Sequence, residues 1–262
     1  MFHIAIVLGL VEGLTEFLPV SSTGHLILAG HWLHFEGPAA GTFEVVIQLG
    51  AILAVVCEYR AQLGQHLVAL GRDAVARRFY FNLGLAFLPA AFFGFLFHDA
   101  IKSQLFTPRN VAYALIVGAI AIFGVEALKL RPRSRTVESV GARQALAIGL
   151  AQCAALFPGF SRAAATIMGG LIVGLDRPTA AQFSFLLAIP TMLGATTLDL
   201  LKSMHDLTGA DWVRIGIGFV VAFLSAWLAV RWFVRFLSQH SLRSFAVYRL
   251  LVGLAVLGIL GR

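Results

Sequence analysis

Six apolar runs, at residues 43–59, 81–97, 111–128, 180–198, 213–234 and 245–260, set the architecture of this chain. Each is close to the roughly 20 residues that an α-helix needs to cross the hydrocarbon core of a bilayer. Lipid offers no partner for an unpaired backbone amide or carbonyl, so segments of this kind must be helical. With 59% hydrophobic and 13% charged residues over 262 positions, the composition excludes an ordinary soluble domain and predicts an all-α polytopic membrane protein. The formal net charge of +7 does not point to nucleic acid. Its basic residues sit in short loops between apolar runs, as the positive-inside rule expects, and form no stripe interleaved with aromatics. Cys57 and Cys153 are far apart and each lies inside an apolar run, which supports neither a disulfide framework nor a thiolate metal site. No basic leader or small-residue cleavage site precedes Glu12, so the first helix is expected to be retained.

Two apolar regions, 1–34 and 144–175, do not read as simple spans. They are broken midway by Pro19-Val20-Ser21-Ser22-Thr23-Gly24 and by Pro158-Gly159-Phe160-Ser161-Arg162. Such breaks free backbone groups that only protein or a wet cavity can satisfy at membrane depth. Both are therefore read as re-entrant helix-loop-helix hairpins. They also resemble one another: Gly9-Leu10 through Pro19 and Ser22 aligns with Gly149-Leu150 through Pro158 and Ser161 with one residue of slippage, which sets Glu12 opposite Gln152 and Thr23 opposite Arg162. Phe43-Glu44-Val45-Val46 and Phe183-Ser184-Phe185-Leu186 recur at a similar distance.

The expected organisation is one integral membrane domain, residues 1–262, built from repeats at 1–130 and 144–262 joined by a basic linker. Three spans in the first repeat turn the second upside down, giving six transmembrane helices and two re-entrant hairpins in an inverted-topology repeat. Loop charge agrees. Arg60, Arg72, Arg77 and Arg78, then Lys129, Arg131, Arg133, Arg135 and Arg143, then Arg231, Arg235 and Arg243 mark three loops as cytoplasmic. The intervening loops are poorer in positive charge, with Lys102 and Arg109 against Asp99, and Lys202 against Asp199, Asp206 and Asp211.

The first hairpin carries its chemistry in Glu12, Glu16, Ser21, Ser22, Thr23, Gly24 and His25. A carboxylate at bilayer depth costs at least roughly 2.5 kcal/mol, so two of them one helical turn apart read as a functional site. Glu12 and Glu16 share a helical face, where a proton or a cation must relieve their repulsion. Oxygen ligation of that kind suits Mg²⁺ or Ca²⁺. One of the hydroxyls at 21–23 is read as the N-cap of the helix that follows. His25, in its first turn, is a candidate neutral base or nucleophile.

The second hairpin supplies a partner for an anion. Gly159, Ser161, Arg162 and Thr166 combine a glycine-opened loop, a helix N-terminus and a guanidinium deep in apolar sequence, which together resemble a phosphate cradle. Gln152, opposite the carboxylates, is neutral.

The run Val11-Glu12-Gly13-Leu14-Thr15-Glu16-Phe17-Leu18-Pro19-Val20-Ser21-Ser22-Thr23-Gly24-His25, with Phe43 through Gly50, Pro158 through Arg162 and Phe183 through Leu187, resembles the bacterial undecaprenyl-diphosphate phosphatases, the bacitracin-resistance family. The resemblance covers essentially the whole chain. It implies six spans with two re-entrant hairpins in inverted repeats, often as a homodimer, in the cytoplasmic (inner) membrane. It implies removal of the terminal phosphate from the polyprenyl diphosphate lipid, with the pocket open to the periplasm. The family's acidic motif falls on Glu12 and Glu16, its Ser/His pair on Ser22 and His25, and its arginine on Arg162. The serine usual after that arginine is Ala163 here, which implies altered phosphate affinity.

On this reading Glu12 and Glu16 hold the divalent cation, and Arg162, Ser161 and the half-helix amides bind phosphoryl oxygens. His25 then activates Ser22, activates water, or is itself phosphorylated. A lipid phosphatase of the phosphatidic-acid type is disfavoured, because Met168 stands where that chemistry wants a histidine after Ser161-Arg162. The rival from another class is a polyprenyl-phosphate flippase or ion-coupled transporter using the same inverted-repeat pocket.

Overall fold

A computed structural model describes residues 2–35, 38–128, 130–203 and 209–260. Lys129 and Asp206, counted above among the loop charges, lie outside the described residues. The described chain is helical throughout, apart from loops and one isolated bridge between Ser134 and Leu175. The first hairpin is α1 (Phe2–Thr15) and α2 (Ser22–Trp32), followed by α3 (Pro38–Glu58), α4 (Arg60–Ala69), α5 (Ala74–Leu96), α6 (His98–Gln104) and α7 (Pro108–Ala127). The second half runs through α8 (Ala142–Gln152), α9 (Arg162–Ile172), α10 (Arg177–Ser203), α11 (Gly209–Leu237) and α12 (Arg243–Leu260).

Six of these, α3, α5, α7, α10, α11 and α12, are long and apolar enough to cross a membrane. Phe81, Leu88 and Phe95 of α5, Val117 and Ile120 of α7 and Leu228 of α11 are all more than half exposed. An outward apolar belt of that kind marks a contact with lipid rather than water. Two short helices, α4 and α6, fill loops in which the hydropathy reading places no element, and α5 begins well before residue 81. The hydropathy of its first turns is interrupted by Arg77 and Arg78, which hides the start of the helix in sequence.

By contrast α1, α2, α8 and α9 have 11 to 14 residues, and at about 1.5 Å per residue each is too short to cross. Of these, α1 and α8 are held by close backbone contact with long helices of the other half. A Cβ at Gly9 would stand 2.6 Å from the Gly218 carbonyl oxygen of α11, and one at Gly149 would fall against the Ala86 carbonyl of α5. Small residues let helices approach in this way where no hydrophobic driving force separates protein from lipid. Thus α1 packs on α11 and α8 on α5, each hairpin against the opposite half, while α3 pairs with α10 and α7 with α12.

The linker between the halves is tied down. Gln62 Nε2 donates to Glu138 Oε1 (2.6 Å), Arg78 Nη2 to the Glu138 carbonyl (2.9 Å), Asn82 Nδ2 to the Val140 carbonyl (2.7 Å), and His66 Nε2 lies 3.3 Å from Glu138 Oε1. Burial pushes the Glu138 carboxyl up, but its own backbone N–H, Gln62 and His66 outweigh it and hold the group below its ordinary value. A carboxyl lowered on folding stabilises the fold above its unfolded pKa, and that gain is lost as pH falls through the folded one. Acidification below about 4.3, the ordinary glutamate value, is therefore expected to release the linker. Hydrogen exchange of amides 133–140 checks this, and Glu138→Gln protein should show no such acid-dependent loss of protection.

Candidate active site

Both hairpin loops end in the same unusual backbone conformation. Ser21 has φ 73° and Ser161 φ 75°, a left-handed region that side chains other than glycine seldom occupy and that clusters at functional sites. Each serine is the N-cap of the half-helix that follows. Ser21 Oγ accepts from the Gly24 N–H (3.4 Å) and Ser161 Oγ from the Ala164 N–H (3.2 Å). The caps are equivalent at the same spacing as Gly9 and Gly149, so the two hairpins align without the slippage inferred from their prolines. Arg162 is the counterpart of Ser22, and Ala163 of Thr23.

The tight cap turns throw Ser22 and Arg162, the first residues of α2 and α9, toward one another across Glu16. Ser22 Oγ–H donates to Glu16 Oε2, and Arg162 Nη2 donates to Glu16 Oε1 (3.1 Å). Arg162 Nη1 bonds the Ser184 carbonyl (2.9 Å) and hydroxyl (3.2 Å), and Ser184 Oγ lies 2.6 Å from Thr166 Oγ1. The guanidinium also sits 5.6 Å from the ring centroid of Phe17, which is fully buried edge-to-face on Phe185. Glu16 is 7% exposed. A carboxylate, a serine hydroxyl and an arginine are therefore locked in place from four segments of chain.

This trio lines a cavity of about 520 Å³. Ser21, Thr23, Gly159 and Ser161 line it too, as expected from sequence, with Gln48, Gln152 and Thr191 joining them. Its other walls are apolar, from Phe87, Ala91, Gly94 and Phe95 of α5 and Gly194 and Ala195 of α10. The first-turn amides of α2 and α9 have no intrahelical acceptors, so two helix N-termini reach one space, the arrangement that binds phosphate.

Four of the sequence-predicted site residues stand outside the cavity wall. Gly24 packs toward Val111, its N–H used by the Ser21 cap. Thr166 reaches Arg162 only through Ser184 and its own helix backbone. His25 is not set against Ser22: its Nδ1 lies 2.7 Å from the Ser21 carbonyl and its Nε2 2.6 Å from Tyr248 OH. The i, i+3 spacing permits a Ser–His contact, but the positive φ at Ser21 turns the hydroxyl toward Glu16 instead. Glu12 lies behind Glu16, fully buried, and neither of its carboxylate oxygens has a hydrogen-bond partner. Ala163 is fully enclosed and off the cavity wall, so a hydroxyl there would not line the pocket.

Sequence reasoning overlooks Arg249, which braces the two hairpin loops. Fully buried in α12, it donates from Nη1 to the Pro19 carbonyl and from Nη2 to the Gly159 carbonyl (both 3.1 Å), tying the two hairpin loops together. It also bonds the Leu115 and Ala114 carbonyls of α7. The signal was available, since a guanidinium inside the apolar run 245–260 meets the same criterion that singles out Arg162.

A family profile described as bacitracin resistance protein BacA matches residues 5–255. The chain is 50% identical to an undecaprenyl-diphosphatase of Laribacter hongkongensis over 97% of its own length and 93% of that protein's. It is 48% identical to undecaprenyl-diphosphatase 3 of Acinetobacter baylyi, over 98% and 97%, and 51% identical to an undecaprenyl-diphosphatase of Rhizorhabdus wittichii, over 96% and 95%. With a match across nearly the whole chain and relatives about half identical over almost their full lengths, the protein belongs to the bacitracin resistance protein BacA family.

Proposed function

We infer that this protein hydrolyses undecaprenyl diphosphate to undecaprenyl phosphate and inorganic phosphate, recycling the lipid carrier of cell-wall synthesis and conferring resistance to bacitracin. The observation that carries the chemistry is the Ser22 hydroxyl held on Glu16 beside Arg162, in a cavity polar at one end and apolar at the other. Relatives named undecaprenyl-diphosphatase supply the substrate.

Glu16 takes the Ser22 proton as Ser22 Oγ attacks the terminal phosphorus. The bond from that phosphorus to the bridging oxygen breaks, and the lipid monophosphate leaves. Arg162 and the amides of the two helix N-termini stabilise charge on the phosphoryl oxygens as it is transferred. Substrate draws the guanidinium toward phosphate and away from Glu16 Oε1, leaving the carboxylate free to accept the proton. Glu16 passes the proton it took to the departing lipid phosphate; water then attacks the phosphoserine and gives a proton to Glu16, which returns it to Ser22 Oγ as the bond from phosphorus to Oγ breaks and inorganic phosphate leaves. His25 and Tyr248 brace the Ser21 carbonyl and so the turn that aims Ser22.

Glu12 and Glu16 are the residues suited to hold a divalent cation, Mg²⁺ or Ca²⁺. Two buried, unpartnered carboxylate oxygens on Glu12 need a proton or a cation to be tolerated. Among the described residues no three His, Cys, Asp or Glu side chains gather at one point. The oxygen-only donor set of Glu12 and Glu16 would suit a hard divalent cation. Once bound it would neutralise charge on the diphosphate. Glu12→Gln is expected to raise the Mg²⁺ concentration for half-maximal activity by at least roughly tenfold, read from a cation titration of phosphate release.

The protein is a multi-pass membrane protein; its place in the cytoplasmic membrane is taken from the family, and loop charge supports a cavity open to the periplasm. His98, Ile101 and Phe106, which line the cavity, belong to the segment between α5 and α7, one of the loops poor in Lys and Arg. Phosphate release from undecaprenyl diphosphate by purified protein in detergent, with and without a chelator, tests the reading. Turnover without a sealed membrane supports an enzyme, and its absence in active-lipid conditions points to a carrier.

A further inference from the structure

Gln152 is the pseudo-symmetric counterpart of Glu12, but it faces the cavity. It ends α8, is 1% exposed, and its Nε2 has no hydrogen-bond partner. Its Oε1 accepts from Thr191 Oγ (3.3 Å), a hydroxyl that is also bonded to the Leu187 carbonyl (2.8 Å). A buried amide donor left unpaired is costly, and a ligand that accepts its hydrogen recovers the loss. Phosphate oxygens only accept, so an anion in the cavity fixes the amide with its NH₂ inward.

Position along the cavity decides which phosphate. Leu156, one turn beyond Gln152, comes against Gly94 of the apolar wall. Thr191 lies two turns along α10 from Ser184, the anchor of Arg162, and just before Gly194. Gln152 therefore stands where the apolar wall meets the Arg162 end. We propose that the Gln152 amide binds the phosphate that stays on the lipid, while Arg162 and Ser22 act on the terminal one. This rests on the phosphatase reading and divides its diphosphate between two subsites.

The test compares two inhibitors of phosphate release by wild type, Gln152→Leu, Gln152→Glu and Thr191→Val. Undecaprenyl phosphate is expected to inhibit both Gln152 variants roughly ten- to hundredfold more weakly, the loss of one hydrogen bond to a charged group. Thr191→Val, which frees the amide to rotate, should show a smaller loss in the same direction. Inhibition by inorganic phosphate should be unchanged in Gln152→Leu and Thr191→Val, and in Gln152→Glu, whose added charge faces the same cavity, it should weaken less than inhibition by undecaprenyl phosphate. Equal weakening of both inhibitors, or no weakening of either, overturns the assignment. Gln152→Glu keeps the shape of the side chain and decides the matter if the leucine variant does not fold. A wild type that releases no phosphate overturns the phosphatase reading, an outcome separate from any difference between variants.

Discussion

Arg162→Ala is expected to abolish turnover and to weaken the fold together. In the native protein the guanidinium is shared by Glu16 Oε1 and by the Ser184 carbonyl and hydroxyl, with side-chain exposures of 11% for Arg162 and 7% for Glu16. Removing one partner of a buried pair leaves the other uncompensated, a cost of about 3–5 kcal/mol. Losing an arginine that stabilises charge in phosphoryl transfer lowers the rate by about 10³-fold or more. Arg162→Lys should recover little of the rate, because an ammonium cannot bridge Glu16 and Ser184 in one plane. Phosphate release and thermal unfolding of both variants in detergent check this, and an Arg162→Ala protein of near-native rate would remove Arg162 from the chemistry.

The second large effect is expected at Arg249, whose guanidinium bonds backbone carbonyls and not Glu16, Ser22 or Arg162. Its guanidinium satisfies carbonyls of both hairpin loops and of α7. The bonds to the Pro19, Leu115 and Gly159 carbonyls are buried, and leaving a buried acceptor unmatched costs about 1–3 kcal/mol. Arg249→Met keeps the bulk and the apolar stem but drops every one of these bonds. Its expected result is loss of the defined hairpin pairing, seen as early thermal unfolding and rapid protease cleavage near Pro19 and Gly159, with activity lost as a consequence. Arg249→Lys should retain part of the stability. A methionine variant as stable as wild type would show that the loops hold their geometry without the clamp.

The hairpins and their meeting point are legible in the sequence because lipid leaves few choices. A run of apolar residues must be helical, a Pro-Gly break within it must be satisfied by protein, and intramembrane charge must have a partner. Those rules single out Glu16 and Arg162 before any coordinates, and the family resemblance adds Ser22. They do not find the partner of Ser22, because helical spacing offers His25 while the left-handed turn at Ser21 selects Glu16. Arg249 stands out as a guanidinium in an apolar run, but its acceptors do not: Pro19, Ala114 with Leu115, and Gly159 are far apart in the chain and meet it only in the folded protein. Short helices such as α4 fall below the length at which hydropathy speaks.

Ser22 is where the chemical account is most exposed. The direct measurement is the rate of inorganic phosphate release from undecaprenyl diphosphate by purified Ser22→Ala protein beside wild type, with thermal unfolding confirming that both are folded. Removal of a nucleophile whose hydroxyl rests on Glu16 predicts a folded protein with no release above background. Wild-type turnover from Ser22→Ala would contradict the account and move the attack on phosphorus to water or to His25.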